Sequence, residues 1–189
     1  MKLEDLIKRC IKNDRNAQNE LFRKYKDTLF FISLKYCRNV ADAEDNLHDA
    51  FIAIFQNLKT FKNHGSFEGW MKRIAIYKAV DKYKNNLLEN IEIKDNLLVD
   101  SVEIHDELDF SLEFLLKLVQ ELPDQYRLVF NLYQLDAHSH KEIASILNIS
   151  EGTSKSNYHR AKLILREKIE KVNNRTNSEK EIKWQKKKI

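Results

Sequence analysis

A group of hydrogen-bond donors near residue 160 could contact nucleic acid. If this stretch is helical, one outward face carries Lys155, Ser156, His159, Arg160 and Lys162. Such side chains suit base edges and phosphate oxygens in the major groove of DNA. A helix that is merely solvated usually mixes acidic residues into its polar face, yet there are none between Gly152 and Arg166. The pattern therefore favours a DNA-reading helix over an ordinary helical hairpin.

Enzymatic chemistry has weaker candidates. The histidines and acids that could be imagined as hydrolase metal ligands are His48–Asp49, His105–Asp106 and His138–His140. None of these pairs shows a recognised metal-ligand spacing, and no larger cluster of carboxylates and imidazoles converges. We therefore expect a protein without catalytic residues, without a metal or other cofactor, and without a small-molecule substrate.

The donor-rich face needs a scaffold, and residues 140–166 predict a helix-turn-helix. Ile143, Ile146 and Leu147 give a short helix with one buried edge. Asn148 suits the left-handed conformation of a helix end, and Ser150 suits the N-cap of the next helix. That second helix should turn four residues toward the core: Ser154, Tyr158, Ala161 and Leu165.

The chain has two helix-rich blocks, the first at about residues 3–86 and the second from about residue 111, which includes the helix-turn-helix. Residues 47–58 place apolar side chains at the spacing of an amphipathic helix, and residues 17–34 predict an earlier one. Loop formers cluster at residues 59–66, where Ser66 can cap a helix that carries Phe67, Trp70, Ile74 and Tyr77 on one side. After residue 111, an apolar helix stops at Pro123, and a second helix is predicted over residues 124–135.

Composition agrees with an all-helical fold. The 189 residues include three glycines and one proline, 42% are hydrophobic and 33% are charged. No stretch approaches the roughly 20 apolar residues of a membrane span, and the N-terminus lacks an apolar signal core. Cys10 and Cys37 are isolated in sequence and predict reduced thiols. We expect a cytoplasmic protein.

Charge divides the chain. Residues 87–113 hold nine acids and one base, so a net charge of +4 leaves both flanking blocks basic. A basic protein with an acidic middle suggests contacts with polyanions at both ends. The alternative is a solvated linker between two ordinary lysine-rich surfaces.

A family resemblance emerges from residues 122–169. They contain the elements LP, R-x-V-F, S-x-x-E-I-A, S-x-G-T, K-S and R-A at the spacing of region 4 of extracytoplasmic-function sigma factors, in the sigma-70 family. Ser154 departs from that pattern, because valine is usual there. The resemblance implies that Lys155, Ser156, His159, Arg160 and Lys162 contact the −35 promoter element.

Residues 40–61, VADAEDNLHDAFIAIFQNLKTF, resemble the region 2 helix that docks on the β′ clamp of RNA polymerase. The resemblance implies that the polymerase is bound by Asp42, Glu44, Asp45 and Asp49. Acidic groups also suit a basic partner surface on physical grounds. The alternative is that acids simply favour the first turn of a helix.

Residues 66–84, SFEGWMKRIAIYKAVDKYK, resemble the region 2 segment that captures the melted −10 element. Tyr77 replaces a common asparagine, and Lys84 replaces arginine. The −10 contacts implied here are Phe67, Lys72, Arg73, Tyr77, Lys78, Lys82 and Lys84. Bases and aromatic rings stack while cations follow the phosphates. The loop 62–67 would form a pocket for a flipped base with Phe67 as one wall, although Phe67 and Trp70 could equally be core aromatics.

The resemblance implies two helical domains joined by an acidic linker: region 2 at 1–86, the linker at 87–111, region 4 at 112–170, and a basic tail at 171–189. The protein would bind core polymerase through the β′ clamp and β flap, read the −35 and −10 elements, and promote melting. An anti-sigma factor is the further expected partner. The competing hypothesis is a helix-turn-helix regulator that acts alone. The tail could add phosphate affinity or be a frayed terminus.

Overall fold

The computed structural model describes residues 2–62, 64–89 and 111–186, with only the backbone described at 86–89 and 173–186. It divides into two compact units, Met1–Asp95 and Asn96–Ile189. Within the described ranges every regular element is helical, so the predicted all-α class with two helical domains is confirmed. The predicted acidic linker lies mostly outside the described residues.

In its described residues, the first unit is a bundle of four α-helices with a 3-10 turn at Leu58–Thr60. They are α1 (Leu3–Ile11), α2 (Arg15–Tyr36), α3 (Val40–Asn57) and α4 (Phe67–Glu89). The last three pack against one another, and α1 packs on α2. Leu21 and Leu29 of α2, Ile54 of α3 and Met71 of α4 are fully buried in this core. The amphipathic pattern at 47–58 thus predicted both a helix and the face that it buries.

The ends of these helices follow from local chemistry. The Asp14 carboxylate accepts the backbone N–H groups of Asn16 and Ala17 and so caps α2. Asn39 accepts the N–H of Asp42 at the start of α3. Ser66 accepts the N–H of Gly69 at 3.0 Å, which confirms it as the cap of α4.

One buried polar network ties the three main helices together. Asn46 of α3 donates to Ser33 Oγ at 2.9 Å and to the Ala75 carbonyl at 3.1 Å. Ser33 in turn donates to the Leu29 carbonyl. Because Ser33 belongs to α2 and Ala75 to α4, one amide fixes the position of α3 against both neighbours.

The second unit contains α5 (Leu112–Gln120), α6 (Asp124–Phe130), a π-helical turn (Asn131–Leu135), α7 (His140–Leu147) and α8 (Glu151–Lys186). Helices α5, α6 and α7 all contact α8. Leu122, Tyr126 and Ala161 form a buried cluster between α6 and α8. The long helix α8 is therefore the centre of this unit as well as its candidate DNA-reading element.

A buried arginine holds the corner between α5 and α6. Arg127 is 3% exposed and donates to the carbonyls of Gln120 and Leu122, at 3.2 and 2.8 Å. It also pairs with the Asp124 carboxylate. Its guanidinium therefore satisfies the Gln120 carbonyl, which ends α5 without a helical partner, and the Leu122 carbonyl in the turn that follows.

Three boundaries differ from the expectations. The helix predicted over 124–135 changes at Asn131 into a π turn that ends at Leu135. Helix α4 extends to Glu89, and α8 continues through the predicted start of the tail to Lys186. A π-helix has about one more residue per turn than an α-helix. Within a single short turn this difference changes the spacing of apolar residues too little for the sequence to distinguish the two.

Candidate nucleic-acid interface

The helix-turn-helix forms as its capping residues predict. Ser139 and Glu142 cap α7 reciprocally, and the hydrogen bonds from Ser139 hold the pKa of the Glu142 carboxyl below its usual range. Asn148 ends α7 in the left-handed conformation at φ 55° and ψ 48°. Ser150 Oγ accepts the N–H of Thr153 at 2.9 Å and begins α8. The end of α7 and the start of α8 are thus both fixed by residues within the range 148–150.

The outward face of α8 begins with Lys155 and Ser156. The Lys155 side chain is 61% exposed, and its ammonium lies 2.8 Å from the Glu151 carboxylate one turn earlier. The pairing lowers the pKa of the Glu151 carboxyl. Ser156 is exposed and donates to the Thr153 carbonyl. Lys155 can leave a surface ion pair at little cost, so both side chains are available to DNA.

Three more predicted DNA contacts lie along the flanks of this face. Arg160 is half-buried and donates to the Tyr126 hydroxyl at 3.1 Å. His159 is also half-buried, whereas Lys162 is exposed with its ammonium 5.6 Å from the centre of the Tyr158 ring. The guanidinium of Arg160 therefore contributes to packing between α6 and α8, which the sequence did not indicate.

A polar and aromatic cluster joins α7 to α8 and was missed by the sequence patterns. His140 Nδ1 lies 3.0 Å from Ser154 Oγ, and the imidazole stacks on Tyr133 with ring centres 4.3 Å apart. Tyr158 donates to Gln134 Oε1 at 2.6 Å across the same cluster. Burial, reinforced by the charge of Lys155, lowers the pKa of His140.

A mixed aromatic and basic face runs along α4. Trp70, Arg73, Tyr77 and Lys84 have the spacing i, i+3, i+7 and i+14, so they lie on one side of the helix. Tyr77 is 41% exposed, Arg73 is exposed, and Trp70 and Lys84 are half-buried. We call these four residues the α4 face. Lys78 is exposed farther round the helix, and Lys72 pairs with Glu68 at 2.6 Å on the other side.

Phe67, the predicted wall of a base pocket, lies within an aromatic cluster. It is 4% exposed, stacks on Trp70 at 5.6 Å, and meets Phe61 edge-on at 5.0 Å. Tyr25 of α2 contacts it from another side. Phe61 and Trp70 are each half-buried, so these two rings keep the accessible edges of the cluster. Phe61 was not among the predicted site residues.

Lys82 joins two of the predicted sites. Its ammonium lies 3.6 Å from an Asp42 oxygen and 3.7 Å from an Asp45 oxygen. The predicted −10 contact and two predicted polymerase contacts are therefore within ion-pair distance in the free protein.

The acids of α3 precede an exposed apolar side chain on the same helix. Asp45, Asp49 and Ile52 have the spacing i, i+4 and i+7 and form what we call the α3 stripe. Ile52 is 55% exposed, and both carboxylates are exposed. Glu44 is exposed beside the stripe, and Asp42 is half-buried at the helix start. The sequence shows an isoleucine among charged residues, but a count of charges alone did not identify it as part of this surface.

Within the described ranges, no group of three or more histidine, cysteine, aspartate or glutamate side chains could hold a metal ion. No described helix is both long and apolar enough to cross a membrane.

Both units match known protein families. Residues 21–87 match the family described as Sigma-70 region 2, and residues 113–165 match Sigma-70, region 4. The chain is 30% identical to the ECF RNA polymerase sigma factor SigW of Bacillus subtilis over 183 residues, which cover 89% of this chain and 97% of the relative. It is 26% identical to the ECF RNA polymerase sigma-E factor of Escherichia coli K12 over 185 residues, covering 87% and 93%.

A solved structure shares the fold. It is a co-crystal of the sigma factor RpoE with the anti-sigma factor NepR from Bartonella quintana. The TM-score is 0.51 at 19% identity, and the match covers 80% of this chain and 96% of that one.

Proposed function

Because the chain belongs to the extracytoplasmic-function sigma factors of the sigma-70 family, which direct RNA polymerase to promoters, we propose a role for each of its surfaces. The α3 stripe binds core polymerase, the α4 face holds the melted −10 strand, and the outward face of α8 reads the −35 element. The observation that carries this assignment is the pairing of an acidic stripe with an aromatic and basic face in one small bundle. A regulator acting alone would need neither.

The α3 stripe has the composition of a protein-binding surface. Its exposed isoleucine supplies an apolar contact, and the flanking carboxylates of Asp45 and Asp49 attract a basic partner and speed its encounter. The first unit presents this stripe on a rigid helix, because Asn46 ties α3 to α2 and α4. Asp42 and Glu44 extend the negative charge toward the start of the helix.

The α4 face suits a single strand of DNA. Trp70 and Tyr77 offer rings on which bases can stack, and Arg73 and Lys84 lie beside them for the phosphates. Phe61 and Trp70 contact each other at 5.5 Å between ring centres and form the sides of a base pocket. Phe67 supports both rings from beneath. Trapping an unstacked base offsets an opening cost of a few kcal/mol, so melting at this face needs no nucleotide hydrolysis.

The exposed start of α8 suits duplex DNA. Lys155 and Ser156 lie in its first two turns, where a recognition helix contacts base edges. His159, Arg160 and Lys162 follow along the groove walls and reach phosphates. The protein contributes binding and strand separation, while polymerase performs the catalytic chemistry. We also propose an anti-sigma factor as a regulator, since the structural relative from Bartonella quintana was solved with one.

Reversal of charge on α3 tests the docking surface. Asp45→Lys should weaken the association of the full chain with core polymerase at least tenfold, measured by fluorescence titration. Asp27→Lys is the matched control, because the Asp27 side chain is 91% exposed on α2 and outside the stripe. Equal affinities of the two variants for core polymerase would contradict the proposed stripe.

Transcription tests the −35 surface. Arg160→Ala should reduce transcription from the cognate promoter and leave core affinity unchanged. Tyr126→Phe is the control, because it removes the hydrogen bond to Arg160 and keeps the guanidinium. If Tyr126→Phe reproduces the loss, Arg160 acts through packing and its DNA contact is refuted. A chain that does not copurify stoichiometrically with core polymerase would instead favour the stand-alone regulator.

A further inference from the structure

Ser154 is the one residue of the helix-turn-helix match that departs from the family pattern, and it has a partner in the structure. Its side chain is completely buried in the seam between α7 and α8. The valine that is usual at this position would place no polar group there. Its hydroxyl lies 3.0 Å from Nδ1 of His140, the first residue of α7. A buried hydroxyl without a partner is costly, so the imidazole makes serine tolerable at this position.

His140 is itself held in place. Its ring lies nearly parallel to the Tyr133 ring, at an interplanar angle of 12°. The centre of the Tyr158 ring, on α8, lies 5.9 Å from the centre of the imidazole. The charges that act on the pKa of the imidazole are those of Lys155, which lowers it, and Glu151, which raises it. Desolvation and the charge of Lys155 lower the pKa of His140, so the neutral ring predominates near neutral pH. A neutral imidazole can either donate to a hydroxyl or accept from it.

We propose that His140 is a positioning residue for −35 recognition: its bond to Ser154 fixes the rotation of α8 about its own axis, and so aims the adjacent Lys155 and Ser156 at the DNA. The turn at 148–150 fixes the start of α8 along the chain. The contact between His140, at the start of α7, and Ser154 fixes α8 at a second point, one turn after its start. The inference rests on the proposed function of the α8 face.

Four variants separate the role of the ring from that of the hydrogen bond. His140→Phe keeps a ring against Tyr133 and removes the nitrogen. His140→Asn places an amide where Nδ1 lies and loses the stack, and the amide can serve either hydrogen-bonding role. Ser154→Val removes the hydroxyl. The double variant His140→Phe/Ser154→Val makes the seam apolar on both sides and leaves neither polar partner behind.

The measurement is a ratio of affinities. Holoenzyme assembled from the full chain is titrated with two promoter fragments, one carrying the −35 element found by sequencing induced transcripts and one with that element scrambled. We expect His140→Phe and Ser154→Val each to lower the ratio roughly fivefold to tenfold, since one polar partner is then lost. His140→Asn should recover most of the wild-type ratio, whereas the double variant also lacks the hydrogen bond and should lower the ratio no further than either single substitution.

Leu118→Ala is the control for simple loss of stability, because Leu118 is buried on α5 rather than in the seam. Binding is measured well below the melting temperature of every variant. The proposal is overturned if the two single substitutions leave the ratio unchanged, if their effects add in the double variant, or if Leu118→Ala lowers the ratio equally. A wild-type holoenzyme with no preference for the −35 fragment would instead refute the proposed function.

Discussion

The stability of the second unit should depend strongly on one arginine. In Arg127→Ala, the carbonyls of Gln120 and Leu122 lose their donor, and the Asp124 carboxylate loses its charge partner. Water can reach the Asp124 carboxylate only in part, because that side chain is 17% exposed, and Leu122 is 2% exposed. The substitution therefore removes one donor from each of three acceptors at the corner between α5 and α6.

The size of the effect follows from those three groups. Leaving a buried polar group unpaired costs about 1–3 kcal/mol, and breaking a buried ion pair costs about 3–5 kcal/mol. Partial access of water to Asp124 favours the lower end, so we expect Arg127→Ala to reduce the free energy of unfolding by about 3 kcal/mol. In a domain of this size, such a loss lowers the melting temperature by about 12–24 °C.

Hydrogen exchange read by mass spectrometry distinguishes the two units in the intact chain. Protection of α6 and α8 amides should fall more than a hundredfold in Arg127→Ala, while α2 and α3 amides remain unchanged. Arg9→Ala is the matched control, because the Arg9–Asp14 pair has similar chemistry but lies at the surface of the first unit. We expect it to change the stability of the first unit far less than Arg127→Ala changes that of the second, because exposed ion pairs contribute little. A loss of protection under tenfold in Arg127→Ala would refute the argument.

Three further outcomes follow from polar contacts elsewhere. Asn46→Ala should destabilise the first unit by about 2 kcal/mol in urea unfolding, because two buried hydrogen bonds are lost; a change below about 0.5 kcal/mol would contradict the network. Lys82→Ala should weaken binding of single-stranded −10 DNA by holoenzyme with little change in stability, since its pairs with Asp42 and Asp45 are exposed; unaltered DNA affinity would exclude it from the −10 site. The pKa of His140 is lower in the folded chain than in the unfolded chain. As the pH falls below about 6.5, this imidazole is therefore protonated first in the unfolded chain. The thermal stability of the second unit should therefore decrease between pH 7 and pH 6, and His140→Asn should flatten that profile.

The sequence predicted most of the helix-turn-helix because each of its decisions is local. Asn148 adopts the left-handed conformation, Ser150 caps α8, and Ala161 is buried, all as expected from residue type and spacing. Capping depends on atoms within three residues, and burial follows the helical period. Neither requires knowledge of a distant partner.

Contacts between distant residues were beyond such patterns. Asn46 lies 13 positions from Ser33 and 29 from Ala75, and nothing in its neighbours marks it as buried. His140 could only be excluded as a metal ligand, because its partner Ser154 is 14 residues away. A buried polar residue is recognised by the group that satisfies it, and that group is known only once the helices are packed.

Charge patterning identified the surfaces but could not rank the residues on them. Seven residues were expected to contact −10 DNA on α4, yet the fold places Arg73 and Tyr77 on an open face, buries Phe67, and turns Lys82 toward the acids of α3. On α8, Lys155 is open while Arg160 also supports packing. A basic residue that serves the fold cannot be changed without disturbing it, so its substitution reports on stability as well as on DNA. A variant is therefore informative where the structure identifies the second role of the substituted residue and a control variant can remove that role alone. Tyr126→Phe is such a control for Arg160.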